Sequence, residues 1–286
     1  MNFNRRMKRL YRQANRLDLD EHPRLFIFSD CHRGAGDKAD DFRHNQALFL
    51  KVLHYYRERG YSFIELGDGD ELWENVAFEK ILETYDEIFR FYSDLSRSGR
   101  FHFVWGNHNR DWKYRKEIPR LIEEKIDPDH RIEGIEGLVL HKRDMELFLL
   151  HGHQGELIND SLWWIGRFFV KIFWRPIQLK FGLPDVTSAA KNHRVRIRAD
   201  RRFIKWTRKN RIPVIIGHTH RPIFPKPGQH PYFNSGSCIH PKGISGIEID
   251  GDCMTLVKWN PGDRDRSGTI QRGILGGPGS LSGFCR

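Results

Sequence analysis

The chain has 286 residues, of which 38% are hydrophobic, 13% aromatic and 30% charged, so it can bury a sizeable core and is too apolar to be wholly disordered. Its net charge of +11 is concentrated, with six Arg or Lys and no acid in residues 1–16, and ten against Asp200 alone in residues 191–211. The slightly acidic remainder suits a cation-holding body with two anion-attracting appendages, and the absence of a long apolar run excludes an ordinary membrane span.

Residues 1–21 read as a basic amphipathic arm. Phe3, Met7, Leu10, Ala14 and Leu17 make a heptad-like stripe, with arginines on the remaining faces. Docking on the body, contact with an anionic membrane and pairing with a second copy all fit that stripe. The same arginines leave no apolar stretch for a secretion signal, so the chain is expected to be cytoplasmic. Short β-rich runs follow at Leu25 to Phe28, Ser62 to Leu66, Phe101 to Trp105, Glu146 to Leu150 and Pro213 to Ile216. Runs this apolar suit sheets covered on both faces. Between them, residues 41–59 place Ala47, Leu50, Leu53 and Tyr56 at three-residue spacing before Gly60. Residues 78–96 carry Ile81, Tyr85, Ile88, Phe89 and Tyr92. The alternation predicts an α/β protein.

Residues 156–211 form an insertion longer than a loop needs. Its first half holds Trp163, Trp164, Phe168 and Trp174 among Arg167, Lys171 and Arg175, and its second half is the basic segment, with Phe203 and Trp206 interleaved. An interfacial helix at lipid head groups and a helical cap packed on the domain both fit the aromatic half. Runs at 232–233, 244–249 and 253–259 predict a second sheet that closes a body spanning residues 22–260. The seven glycines of residues 261–286 predict a mobile tail. Four scattered cysteines without a CxxC pair fit reduced thiols.

Nearly every strand run ends in a polar cluster: SDCHRG (29–34), GDGDE (67–71), GNHN (106–109), HGH (151–153) and GHTH (217–220). A sheet aims such loops into one crevice. Asp30, His32, Asp68, Asn107, His151, His218 and His220 offer two carboxylates, one amide oxygen and four imidazoles, too many donors for one tetrahedral zinc. They suit two divalent transition-metal ions sharing a carboxylate, which activate water for in-line displacement at phosphorus. Without thiolate, Mn²⁺ is the first choice, with Fe or Zn²⁺ as alternatives. One such His is usually a hydrogen-bonded loop residue and one such Asp a turn, but five clusters at five strand ends are not explained that way.

In order and content the five clusters resemble the calcineurin-like metallophosphoesterases, over about Leu25 to Trp259. The resemblance implies an αββα sandwich of two mixed sheets with flanking helices and a helical cap insertion. It also implies hydrolysis of a phosphodiester or pyrophosphate. On it, Asp30, His32 and His220 hold one ion, Asn107, His151 and His218 the other, and Asp68 bridges them. His108 then faces the scissile phosphate and protonates the leaving oxygen, oriented by Glu71, which stands where Asp is usual. Asn109 replaces the acid usual after the Asn-His pair. His153 either touches substrate or hydrogen-bonds behind the donors, and Arg221 either clamps a phosphate or sits at the surface. The insertion and the string GHTHRP resemble the branch hydrolysing UDP-2,3-diacylglucosamine, although that branch usually has Arg in place of His108. With Trp163, Trp164 and Phe168 as contacts, an anionic amphiphilic substrate and peripheral contact with an anionic membrane, such as the inner membrane surface, are expected. The alternative is a nucleic-acid or nucleotide phosphodiesterase that uses the basic insertion. A catalytically idle binding scaffold is disfavoured by the complete donor set.

Overall fold

Alternation along the strands sorts their side chains onto two faces, and this decides the layers of the molecule. In the computed structural model, which describes residues 2–73, 77–129, 131–155, 193–226, 228–262 and 269–285, strand β2 (Arg24–Phe28) sends Leu25 and Ile27 into one core and Phe26 and Phe28 into another. Parallel to it lie β3 (Ser62–Leu66), β4 (Phe101–Val104) and β5 (Gly134–Ile135). On its other edge β10 (Ile244–Asp250), β11 (Cys253–Pro261) and β12 (Ile270–Ser280) follow antiparallel. The order is β12-β11-β10-β2-β3-β4-β5. A second sheet combines β1 (Asn15–Asp18), β6 (Leu138–Lys142), β7 (Met145–Leu149), β8 (Val214–Ile216) and β9 (Tyr232–Asn234), in the order β1-β6-β7-β8-β9.

Leu25, Ile27, Ile64 and Ile247 of the first sheet meet Leu138, Leu140, Leu147, Leu149 and Ile215 of the second in one buried cluster. Outside the first sheet, Phe26, Phe28, Phe63 and Phe103 pack with α2 (Gln46–Glu58), α3 (Phe78–Thr84), α4 (Asp86–Arg97) and α6 (Glu117–Lys125), while α5 (Asp111–Tyr114) adds Trp112. Outside the second, Val139, Phe148, Val214 and Ile216 take Met7 and Leu10 of α1 (Phe3–Gln13) and Phe203 and Trp206 of α7 (His193–Asn210). The architecture is therefore α/β, with two mixed sheets between helical layers. All four cysteines are free. Among the described residues no helix is long and apolar enough to cross a membrane.

Several expectations need correction. Runs 244–249 and 253–259 do not build the second sheet, because Ile247 pairs with Ile27 and completes the first. Periodicity identifies a strand, not the sheet it joins. The predicted mobile tail instead contributes β12 and the short helix α8 (Leu281–Phe284). Its glycines make room for rings: a Cβ at Gly276 would overlap Phe224, and one at Gly279 would overlap the Phe284 ring. Of the three fits for residues 1–21, docking on the body is the one that α1 and β1 display, α1 packing on the second sheet and β1 pairing in parallel with β6. The 78–96 helix breaks at Tyr85, where φ is −118° and ψ is 30°. The basic half of the insertion belongs to the body as α7, and the aromatic half, residues 157–183, lies outside the described residues.

His102 on β4 gives the fold a pH dependence remote from the strand-end loops. Burial, and then His22 with its ring 5.6 Å away, push its pKa from 6.5 down to about 4. The unfolded chain takes up that proton first, so the stability from keeping the imidazole neutral is present above 6.5 and is lost as pH falls towards 4, by about 3 kcal/mol. The variant His102→Gln is expected to show a shallower fall in urea-unfolding free energy across that window. An unchanged slope refutes the assignment.

Candidate metal centre

The five polar clusters follow β2, β3, β4, β7 and β8 and meet at one end of the sandwich. Asp30, His32, Asp68, His218 and His220 all have left-handed backbone, with φ between 48° and 64°. Each such non-glycine residue costs about 1–3 kcal/mol and persists where the surroundings over-determine it. Here the loops brace one another. His32 N donates to Asp68 O at 2.8 Å, and Asp30 N to Gly67 O at 3.0 Å. Two glycines permit the approach: a Cβ at Gly106 would overlap Asp68 Oδ1, and one at Gly217 would overlap Ser29 Oγ.

Among the described residues two donor groups built from these predicted ligands result, buried but for the half-buried His220, and His32, Glu71 and His108 form a third. Asp30, His32 and His220 place donor atoms within 4.8 Å of one another, and Asp68, His151 and His218 do the same. His220 Nε2 lies 3.1 Å from Asp30 Oδ1, and His151 Nε2 lies 2.9 Å from Asp68 Oδ2. His32 Nε2 sits between the groups, 4.0 Å from Asp30 Oδ1 and 4.0 Å from Asp68 Oδ2. Backbone donors fix the carboxylates, with His218 N reaching both Asp30 oxygens and His108 N reaching Asp68 Oδ1 at 2.8 Å. Asn107 is buried, and among the described residues its Oδ1 has no partner.

This donor set fits cations. His151 Nδ1 is 3.0 Å from Leu66 O, so that nitrogen carries a proton, and Nε2 is the atom turned towards Asp68, which, against the effect of burial, raises the pKa of the ring. His32 Nδ1 is likewise taken by Glu71 Oε2 at 2.8 Å, leaving its Nε2 facing His220 Nε2 at 3.3 Å. Carboxylates and imidazole nitrogens gathered this closely call for positive charge among them, supplied by ring protons or by a bound cation. Burial pushes the Asp68 carboxyl up, but His151 and His108 outweigh it and hold the group well below the usual range. Burial acts the same way on Asp30, where His220 prevails and keeps the carboxyl low. Asp30, His32 and His220, and Asp68, His151 and His218, with Asn107 beside them in the sequence order of the loops, are the residues that would hold divalent metal.

Glu71 touches two histidines with one oxygen, Oε2 being 2.8 Å from His32 Nδ1 and 2.7 Å from His108 Nδ1. Burial opposes its charge, yet these neighbours hold it at about 2. The His108 ring is also stacked on Trp73, with centroids 4.3 Å apart and planes at 19°. Asn109 serves its own turn, since its Oδ1 accepts from Gly106 N at 2.6 Å. His153 is buried beside His151, whereas Arg221 is exposed and lies outside the donor groups. Trp163, Trp164 and Phe168 lie outside the described residues.

Sequence reasoning missed the supports behind the donors. Arg33 is fully buried and bonds Glu65 through Nη1 at 2.6 Å and Nη2 at 3.0 Å, while its Nε donates to Asp70 at 3.0 Å. Trp112 Nε1 donates to the other Asp70 oxygen at 2.9 Å. An acid inside the apolar run SFIEL was the available signal, because a buried carboxylate needs a cation. Beyond β9, Asn234 Nδ2 donates to Gly217 O at 2.7 Å, and Ser235 Oγ is 2.8 Å from Ser29 Oγ, so NSGS steadies both Asp30 and GHTH.

No family model matches the chain, and no curated protein matches it. Among solved structures, a conserved uncharacterized protein from Streptococcus pneumoniae, described as a predicted phosphoesterase, is 15% identical, covering 88% of this chain and 97% of its own, with a TM-score of 0.35. Vacuolar Protein Sorting 29 from Cryptosporidium parvum is 13% identical over 88% of this chain and 95% of its own, at 0.39. A putative 5'-nucleotidase from Staphylococcus aureus is 14% identical over 88% of this chain and 53% of its own, at 0.36.

Proposed function

We propose that the protein is a phosphoesterase dependent on two divalent ions, which cleaves a phosphodiester or pyrophosphate bond in an anionic amphiphilic substrate such as a UDP-diacylglucosamine-like lipid. One observation carries the reading: the loops after β2, β3, β7 and β8 bring two donor groups together, with His32 Nε2 4.0 Å from a carboxylate oxygen of each. When bound, the ions supply charge for the phosphoryl oxygens and acidify water. The chain itself supplies orientation and a proton. Asp30 and Asp68 stay ionised, and His151 keeps Nε2 available because Leu66 O holds its Nδ1 proton. His108, with Nδ1 engaged by Glu71, offers its Nε2 proton to the leaving oxygen.

The exposed cations support the amphiphilic side of this reading. Arg5, Lys8, Arg9 and Arg12 of α1 and Arg198, Arg201, Lys205, Arg208 and Lys209 of α7 are exposed on helices that both pack on the outer face of the second sheet. Near an anionic lipid surface each is worth about 1 kcal/mol. Phe203 and Trp206, whose interleaving favoured nucleic acid, are buried in the core and present no rings for base stacking. Purified protein is expected to hold two transition ions per chain by elemental analysis. Chelation is expected to abolish hydrolysis across a panel of nucleotide-lipid pyrophosphates, oligonucleotides and aryl phosphates, with the acylated pyrophosphate preferred. Full activity after exhaustive chelation defeats the reading, and preference for oligonucleotides replaces the substrate class.

A further inference from the structure

Next to the second donor group the chain buries polar atoms that have no hydrogen-bond partner among the described residues. His153 opens the 3₁₀ turn His153–Gly155 and is fully buried, its ring 5.7 Å from that of His151 and 5.8 Å from that of Trp105. Among the described residues neither of its ring nitrogens has a hydrogen-bond partner. It lies outside all the candidate metal-holding groups. The adjacent Gln154 is also buried. Its Oε1 accepts from Gly152 N at 3.0 Å, while its Nε2 has no partner among the described residues. A buried polar atom left unmatched costs about 1–3 kcal/mol, so three in two adjacent residues call for an explanation.

Cationic side chains lie on α1, which packs on this turn, and around Trp105, which faces it. Helix α1 packs against it and brings the buried Arg6, whose Nη2 is 3.8 Å from Glu136. Arg110 places its guanidinium carbon 5.9 Å from the Trp105 ring centroid, and the Lys113 ammonium is 5.0 Å from the same centroid. Burial pulls the Arg6 guanidinium down to about 10 against the pull of Glu136, and Arg110 adds to the fall. A buried guanidinium with further cationic side chains near it is a place where an anion is favoured. Guanidinium groups bind phosphoryl oxygens in pairs, and a neutral imidazole and an amide each add an N–H.

We propose that Arg6, Arg110, His153 and Gln154 form an anion pocket that takes the phosphoryl group of the substrate that is not cleaved. The proposal rests on the hydrolase reading and deepens it: a substrate with two linked phosphoryl groups fills the donor groups and the pocket together, whereas a simple diester leaves the pocket empty. It also makes the N-terminal helix part of substrate recognition, although α1 carries none of the strand-end motifs.

The test uses the full chain with the variants Arg6→Gln and Arg6→Lys. Calorimetry reads binding of inorganic pyrophosphate to the metal-free protein, and kinetics compare KM for a nucleoside diphosphate sugar with KM for bis(4-nitrophenyl) phosphate. Arg6→Gln is expected to weaken pyrophosphate binding about 10–100-fold, the usual worth of a charge-assisted hydrogen bond. It should raise KM for the diphosphate ester by a similar factor beyond any rise for the aryl diester, with partial recovery in Arg6→Lys. Metal content and thermal midpoint are measured alongside. Should Arg6→Gln fail to fold, Gln154→Glu replaces it, with the same selective loss expected. Equal KM changes on both esters, or unchanged pyrophosphate binding, overturn the pocket. If the wild-type protein cleaves neither ester, the hydrolase reading falls by itself and the calorimetric comparison decides the pocket.

Discussion

Replacing His108 with Ala is expected to lower kcat on an aryl phosphodiester by about 10²–10⁴-fold, the range of a positioned general acid, while leaving the metal content intact. The His108 ring is fixed on two sides, by Glu71 at Nδ1 and by the Trp73 ring beneath it. Its Nε2 is the nitrogen assigned to the leaving oxygen. Asp68→Ala makes the contrast, because Asp68 meets His151 at 2.9 Å and lies 4.0 Å from His32, so its loss should remove metal and activity together. Elemental analysis of the two variants beside wild type separates the roles. A metal-free His108→Ala protein means that the ring holds the site together and is not its acid.

Arg33→Ala is expected to destabilise the fold by about 3–5 kcal/mol, the cost of leaving buried charge without its partner. Total stabilities of about 5–15 kcal/mol make that a large share. Glu65 and Asp70 would remain buried with no guanidinium between them, and Tyr92, 3.1 Å from Arg33 Nη1, would lose a partner as well. The loops depend on the same residue, since Arg33 N donates to Gly69 O and Arg33 O accepts from Glu71 N, both at 2.9 Å. Urea unfolding checks the magnitude. The triple change Arg33→Met, Glu65→Leu, Asp70→Asn should regain part of the loss, because it removes the stranded charges. A loss under about 1 kcal/mol in Arg33→Ala would mean that water reaches the carboxylates and the network is not a dry one.

The residues of the candidate centre were legible because each follows a short apolar run, and a run that ends in Asp, Asn or His announces both its strand and its loop. Asp30, Asp68, Asn107, His151 and His218 lie past β2, β3, β4, β7 and β8, where those runs placed them. The supports were less legible, since Arg33 shares a cluster with Asp30 and His32, Ser235 lies outside all five clusters, and only three-dimensional contact shows which way each faces. Strand β12 escaped for a different reason. Glycine has low strand propensity, and IQRGILGGPGS contains four glycines, three of which, Gly276, Gly277 and Gly279, leave room that Phe224 and Phe284 fill. For Phe203 and Trp206 the composition around them suggested exposure, but their spacing puts them on the inner face of a helix that is basic only outside.

Strand β2 has consequences for the order of folding. One edge pairs with nearby β3, through Ile27 and Ile64, while the other waits for β10, where Ile27 meets Ile247. Closing so long a loop costs more entropy and slows assembly. The β2-β3-β4 unit can therefore form as a nucleus well before the loop after β2 is complete, because Asp30 also needs His218 N and Cys238 N from the last third of the chain. The centre is thus assembled late and, on the way to unfolding, comes apart early. Thermal inactivation should then precede the loss of most secondary structure, and added metal should raise the temperature at which the remote β10 edge detaches by binding only the fully closed form.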